Sequence, residues 1–246
     1  MKWRYIPYDV YDPYWNMAID EAILIAHQEG RVLPTLRFYG WNPATLSIGY
    51  FQHASRQVDQ NKLQAHRLGF VRRMTGGRAV FHDKELTYSV VINETDSLVT
   101  SSVQDTYQKL NIALELGVNQ LLLQIDKNRT SKKDKHPISN ACFDAPGSGE
   151  FLIDGKKAIG SAQTRKQGVL LQHGSILIDF DYATFYDIFP FPSERSKRHF
   201  EQKMGTLSQL CKRNVTIKEV IQAIYTGFVQ GLQITLLEQN LSSYEW

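Results

Sequence analysis

Four short segments carry residue types that could do chemistry. The first is Arg72-Arg73-Met74-Thr75-Gly76-Gly77-Arg78-Ala79-Val80-Phe81-His82-Asp83. Adjacent glycines let a ligand lie against the backbone and expose N–H groups that a larger side chain would shield. The arginines beside them could hold a carboxylate, a phosphate or an acidic protein surface. The spacing is neither that of a phosphate loop, Gly-x-x-x-x-Gly-Lys-Ser/Thr, nor Gly-x-Gly-x-x-Gly. A tight turn carrying solvated arginines is the plain alternative.

The second segment is Asn140-Ala141-Cys142-Phe143-Asp144-Ala145-Pro146-Gly147-Ser148-Gly149-Glu150. Cys142 stands among turn formers, just after the basic residues 127–136, read as a surface loop. A thiolate nucleophile needs partial exposure and nearby positive charge, which this setting could supply. A lone cysteine can equally be a small buried apolar residue, and Cys211 has no other reading. In the third segment, Gly155-Lys156-Lys157-Ala158-Ile159-Gly160-Ser161-Ala162-Gln163-Thr164-Arg165, strand alternation puts Lys157 and Ile159 on one face and Ala158 and Gly160 on the other. A lysine fixed on a strand could stabilise an oxyanion, or merely mark a solvated edge. The fourth is Leu171-Gln172-His173-Gly174-Ser175, whose histidine suits a general base, an orienting group or a hydrogen-bonded core position. No Gly-x-Ser-x-Gly elbow is present, which disfavours a serine hydrolase.

The elements that must position these segments follow from pattern. A helix opens after Asp12-Pro13, runs through Asn16 to Ala26 and closes at Gly30. Strands are expected at Leu36 to Tyr39, Thr45 to Tyr50, Phe70 to Arg73, Leu86 to Ile92, Val169 to Leu171 and Ser175 to Ile178. Val103, Tyr107, Leu110 and Leu114 suit an amphipathic helix over 103–116. Asp154-Gly155 marks a hairpin between Leu152-Ile153 and Lys157-Ala158-Ile159. Thr216-Ile217-Lys218-Glu219 matches a capping box, opening a helix that ends before Gly231. Strands and helices do not alternate regularly, so the expected class is α+β, with helices flanking a mixed, mostly antiparallel sheet, rather than a doubly wound nucleotide fold.

Composition adds limits. The chain has 246 residues, 42% hydrophobic and 22% charged, long enough for one large domain over 1–246 or for one domain plus a small appendage. With 28 basic against 25 acidic side chains the net charge is +3, too slight to imply nucleic acid. The apolar runs fall far short of the roughly 20 residues that span a bilayer, and no signal peptide is evident, so a cytoplasmic, membrane-free setting is expected. Two cysteines exclude a disulfide framework or a metal cluster of their own, and no paired metal-ligand spacing appears.

In this order the four segments, together with Arg37-Phe38-Tyr39-Gly40-Trp41-Asn42-Pro43-Ala44-Thr45-Leu46-Ser47 and Asn16-Met17-Ala18-Ile19-Asp20-Glu21-Ala22, closely resemble the biotin/lipoate protein ligase superfamily. The match is nearest to its octanoyltransferases of the Gram-positive type and covers nearly the whole chain. The resemblance implies the ligase catalytic-domain fold, no cofactor, octanoyl–acyl carrier protein as donor, and a lysine of a lipoyl domain, such as the glycine-cleavage H protein, as acceptor. It implies a Cys142 acyl thioester and an essential Lys157 that polarises the carbonyl. It also implies an acyl pocket shaped by Arg73, Gly76, Gly77, Arg78 and His82 on one side and by Ser161, Ala162, Gln163 and His173 on the other. Basic residues in 127–136 and 195–203 would steer acidic carriers. Members of the family it resembles usually continue beyond Trp246 with a helical segment, so either the tail is short here or the chain is truncated. The alternatives are an ATP-dependent lipoate–protein ligase, an amidotransferase acting between lipoyl domains, and a silent acyl- or lipoyl-domain-binding protein.

Overall fold

The carboxylate of Asp12 accepts hydrogen bonds from the Tyr14 and Trp15 amides and starts the first helix, α1 (Pro13–Gln28), with proline where its missing N–H costs nothing. Gly30, at φ +70°, closes it. The computed structural model describes residues 1–54, 58–121 and 152–246; Cys142 with its neighbours, and the basic stretch 127–136, lie outside the described residues.

Among the described residues, nine strands form two sheets. The larger contains β1 (Lys2–Tyr11), β2 (Thr35–Trp41), β6 (Glu85–Asn93), β7 (Ile159–Lys166), β8 (Val169–Leu177) and β9 (Thr235–Glu238), in the order β7-β8-β6-β2-β1-β9. Only β1 runs parallel to its neighbours, β2 and β9; the other pairings are antiparallel. The smaller contains β3 (Thr45–Ile48), β4 (Gly69–Arg72) and β5 (Val80–His82), in the order β4-β3-β5. Helices are α1, α2 (Gln60–Ala65), α3 (Val103–Leu121), α4 (Tyr182–Ile188), α5 (Glu194–Lys203), α6 (Leu207–Cys211) and α7 (Ile217–Leu232). The expected α+β class, with helices on a mixed and mostly antiparallel sheet, is what the chain adopts.

The central strands are buried on both faces, yet their sequences alternate. One face carries Leu36, Phe38, Leu86, Tyr88, Val90, Leu170 and Ile176, which join Leu110, Leu114, Ile224 and Phe228 of α3 and α7 in the main core. The other carries Arg37, Tyr39, Thr87, Ser89, His173 and Ser175, all buried. Apolar positions farther along that second face, Val91, Val169 and Leu171, pack against Ile19, Ile23 and Leu24 of α1. The second face therefore holds a buried polar patch. Phe185, Phe189 and Phe200 of α4, α5 and the turn after α4 pack with Leu46, Ile48 and Phe81 of the small sheet. At roughly 1.5–3 kcal/mol for each fully buried aromatic, this cluster anchors the small sheet.

Several elements differ from the sequence expectation. Strand β3 stops at Ile48 rather than Tyr50, because Gly49 turns out of the sheet against the backbone of Gly77. The strands expected at Val169 to Leu171 and at Ser175 to Ile178 are one strand, β8. Helix α3 runs on to Leu121, and α7 passes through Gly231 and ends at Gln233 in the left-handed region. Gly231, like Gly227, lies against α3: a Cβ on Gly227 would sit 2.2 Å from the Ala113 carbonyl oxygen. Helix–helix contact, not helix termination, accounts for glycine there. The Asp154-Gly155 turn forms, with reciprocal 2.9 Å bonds between Ile153 and Lys156. The hairpin goes no further, for Lys157 instead pairs in parallel with Met204. Lys157, Ala158 and Ile159 are all buried, so Lys157 is not a lysine on a solvated edge.

Candidate active site

Register brings the segments together. Ser161 lies opposite Gly174, Ala162 opposite His173 and Gln163 opposite Gln172, so two of the segments are cross-strand neighbours. On the next pair Ser89 faces His173 and Thr87 faces Ser175. Arg37 and Tyr39 complete the rows from β2. Gly174 is required by close approach, since a Cβ would meet Ser161 Oγ at 2.5 Å and the Tyr88 ring at 2.7 Å.

A cavity opens over these rows, bounded by Met17, Tyr39, Trp41, Arg73, Gly77, Val80, His82 and Thr87, and by Gly160–Ala162 and His173–Ser175; it holds about 410 Å³ of empty space, its mouth included. Of the residues expected at a site, Arg73, Gly77, His82, Ser161, Ala162 and His173 line it. Gly76 and Arg78 flank Gly77 in the same loop, and their backbone carbonyls accept from Arg73 Nη2 at 3.3 and 2.9 Å. Gln163 lies outside the lining and donates to Gln172 at 3.1 Å. Lys157 does not line the cavity. It is buried, its N–H donates to the Lys203 carbonyl at 2.7 Å, and its carbonyl accepts from Gly205 at 3.1 Å, so the end of α5 fixes its backbone. Cys142 lies outside the described residues.

The glycine loop is built rather than free. Gly77 has φ +91°, a conformation that favours glycine. Arg73 is buried, not a solvated turn arginine; besides the loop carbonyls it donates to Ser47 Oγ at 2.6 Å. Arg72 Nη1 donates to the carbonyls of Gly49, Tyr50 and Gln52. Thr75 ties the loop to the large sheet through His173 Nε2, at 2.6 Å.

Two buried networks underlie the walls. In the first, Asp20 accepts from Arg37 Nη1 at 2.8 Å, Tyr39 Oη at 2.9 Å and Ser89 Oγ at 2.9 Å, with His173 Nδ1 at 3.4 Å. Arg37 Nη2 also donates to Asn16 Oδ1 at 2.6 Å. Burial pushes the Asp20 carboxyl up, but Arg37 and then His173 overcome it and hold the group below its ordinary value. Burial lowers His173, only partly offset by Asp20. A neutral imidazole with its hydrogen on Nδ1, toward Asp20, and Nε2 accepting from Thr75 fits both contacts. In the second network Glu85 meets His82 Nδ1 at 2.8 Å, Thr87 Oγ1 at 2.5 Å and Ser175 Oγ. The Trp41 indole N–H donates to Thr87 at 2.8 Å, and its ring stacks on His82 at 4.2 Å.

These networks give the cavity its chemistry. Its polar side chains are engaged with other protein groups: Tyr39, Trp41, Arg73, His82, Thr87, Ser161, His173 and Ser175 all have protein partners. A wall of polar residue types thus offers mainly carbon to a ligand. Sequence reasoning missed Met17, Asp20, Tyr39, Trp41, Glu85, Thr87 and Ser175. The available signal was the polar spacing Arg37-x-Tyr39, Thr87-x-Ser89 and His173-x-Ser175 within otherwise apolar strands. Among the described residues no group of three or more His, Cys, Asp or Glu is arranged to hold a metal ion. Nor is any described helix long and apolar enough to cross a membrane.

An α+β domain with a narrow, carbon-walled cleft beside a glycine loop fits acyl-group enzymes, and comparison identifies which. The chain belongs to the lipoyl protein ligase A/B catalytic domain family, whose model matches residues 12–229. It is 45% identical to the octanoyltransferase LipM of Brevibacillus brevis, over 99% of this chain and 92% of the relative. The octanoyltransferase LipM of Bacillus subtilis is 42% identical, over 99% and 91%. Among solved structures, a lipoate-protein ligase A bound with ATP is similar at a TM-score of 0.77 and 26% identity, covering 100% of this chain and 91% of that one. A bipartite lipoate protein ligase from Thermoplasma acidophilum is similar at 0.77 and 26%, covering 100% and 89%.

Proposed function

We propose that this protein is an acyltransferase of lipoate biosynthesis, moving an octanoyl group from acyl carrier protein to a lysine amine of a lipoyl domain such as the glycine-cleavage H protein. The observation that carries the reading is the cleft whose polar lining groups are tied to protein partners, leaving carbon to meet an aliphatic chain. Each methylene buried there contributes about 0.8 kcal/mol. Relatives 42–45% identical over nearly their full length, named octanoyltransferases, support it.

In the first step the Cys142 sulfur attacks the donor's thioester carbonyl, and the carrier thiol leaves with the proton. In the second, the acceptor lysine nitrogen attacks the Cys142 thioester; an amide forms, the amine gives up its proton, and the Cys142 thiol is restored. Exchanging one thioester for another is nearly neutral and amide formation is downhill, so the sequence balances without ATP. Lys157 stabilises the oxyanion in both steps. Arg73, Gly77 and His82 bound the acyl chain on one side, with Ser161, Ala162 and His173 on the other; Gly76, Arg78 and Gln163 support these walls from behind through Arg73 and Gln172. Basic residues of α5, whose last carbonyl accepts from Lys157, guide the acidic carrier.

The test is transfer from octanoyl–acyl carrier protein to an apo lipoyl domain without nucleotide. Amide product on the acceptor lysine is expected. Product only from free octanoate or lipoate with ATP and magnesium would overturn this reading in favour of a ligase, the activity named for the solved neighbours.

A further inference from the structure

Glu85 does not line the cleft, yet five lining residues depend on it. Its side chain is fully buried. It accepts directly from His82 Nδ1 at 2.8 Å, from Thr87 Oγ1 at 2.5 Å and from Ser175 Oγ. Two more are held at one remove. Trp41 donates its indole N–H to Thr87 and stacks on His82, 4.2 Å between centroids and 18° between planes. Arg73 donates to Ser47 Oγ, which lies 2.6 Å from His82 Nε2.

The hydrogens of this network can be ordered in one direction. With the His82 hydrogen on Nδ1, Arg73 donates to Ser47, Ser47 to His82, and His82 to Glu85. From the other side Trp41 donates to Thr87 and Thr87 to Glu85, while Ser175 donates independently. Every bond then runs toward one acceptor-only group, which is what an ionised carboxyl supplies and an amide does not. We infer that Glu85 is the positioning residue that fixes the shape of the cleft, and through Trp41 and His82 sets which acyl chain lengths it takes. The inference rests on reading the cleft as the acyl site.

Glu85→Gln keeps size and shape but replaces two charged acceptor oxygens by one neutral acceptor and one donor. At the Oε1 position the amide N–H would oppose the His82 Nδ1–H; at the Oε2 position it reverses the Ser175 hydroxyl and leaves His82 and Thr87 on a weaker, uncharged acceptor. Thr87→Val removes the link between Glu85 and Trp41 with little change of volume. The experiment measures kcat and KM with hexanoyl, octanoyl and decanoyl carrier protein, beside thermal unfolding. For Glu85→Gln the octanoyl-over-decanoyl ratio of kcat/KM should fall about tenfold, carried mainly by KM, since one misdirected buried hydrogen bond has about that effect. Thr87→Val should shift the ratio the same way by roughly threefold to tenfold. A folded Glu85→Gln enzyme with the wild-type ratio would overturn the inference, as would an equal fall in kcat at all three lengths. Should that variant fail to fold, Thr87→Val is read by the same criteria. A wild-type enzyme indifferent to chain length would instead sink the acyl-cleft reading itself, before any variant is compared.

Discussion

Substituting Gly49 by alanine tests whether the glycine loop sets the geometry of the cleft. An added Cβ would lie 2.1 Å from the Gly77 carbonyl oxygen and 2.9 Å from its carbon. Carbon–oxygen contacts settle at about 3.3–3.6 Å, so one backbone must retreat by more than 1 Å, about 1.2–1.5 Å. Neither can do so alone. Tyr50 donates to the Thr75 carbonyl at 2.9 Å and Arg73 donates to the Ile48 carbonyl at 2.9 Å, clamping the two segments on both sides of the overlap. Overpacking of this kind costs about 1–3 kcal/mol of stability, which leaves the protein folded. A displacement near 1 Å in a substrate-positioning loop is worth on the order of 100-fold in rate, or about 2.7 kcal/mol. The assay is kcat/KM for octanoyl transfer with a thermal melt of the same preparation. A folded Gly49→Ala enzyme within about twofold of wild type would refute the claim that this loop must sit where it does.

Gly227→Ala provides the contrast: its Cβ would meet the Ala113 carbonyl at 2.2 Å at the α3–α7 contact, so melting should fall by about 2–4 °C for each kcal/mol lost, while kcat/KM stays near wild type. Asp20→Asn leaves the buried Arg37 without its partner charge and should cost on the order of 3–5 kcal/mol by denaturant titration; a loss under about 1 kcal/mol would contradict the assigned network. Stability should also fall with acid in two stages. Because His173 is held below its ordinary 6.5, the unfolded chain binds the extra proton, and stability declines as pH drops below about 6.5. Because Asp20 is held below 3.8, a further loss follows below about pH 4, absent from Asp20→Asn. Urea midpoints between pH 8 and 3 read both stages, and a flat profile from pH 7 to 5 would contradict the first. Charge reversal at the exposed Arg195 and Arg198 of α5 should raise KM for the carrier protein and flatten its salt dependence, with kcat little changed.

The parts of this fold written in local sequence could be read in advance. Asp12-Pro13 starts α1, Thr216 and Glu219 cap α7 reciprocally, and Asp154-Gly155 turns the chain as their types require. The parallel pairings of β1 with β2 and β9 join residues far apart in sequence and carry no short-range signal. A period-2 pattern identified the central strands but not what covers them. Arg37, Tyr39, Thr87, Ser89 and His173 have the spacing of a solvated sheet face, yet α1 and the small sheet enclose it. Only the buried carboxylates, Asp20 for the first network and Glu85 for the second, make such burial tolerable, and Asp20 reaches all its partners, like Glu85 its partner Ser175, across a long stretch of chain. The same gap explains Gly231, which read as a helix stop while its role is contact with a neighbour. The glycine loop, Ser161, Ala162 and His173 were legible because their segments are contiguous; that they meet across β7, β8 and the small sheet was not.

The central claim is acyl transfer through Cys142, and intact mass tests it most directly. Purified protein and its Cys142→Ala variant would be incubated with octanoyl–acyl carrier protein in the absence of ATP. The account predicts one added octanoyl group on the wild type, released by hydroxylamine, discharged by an apo lipoyl domain and absent from the variant. No added mass on the wild type, or the same addition on Cys142→Ala, would contradict it.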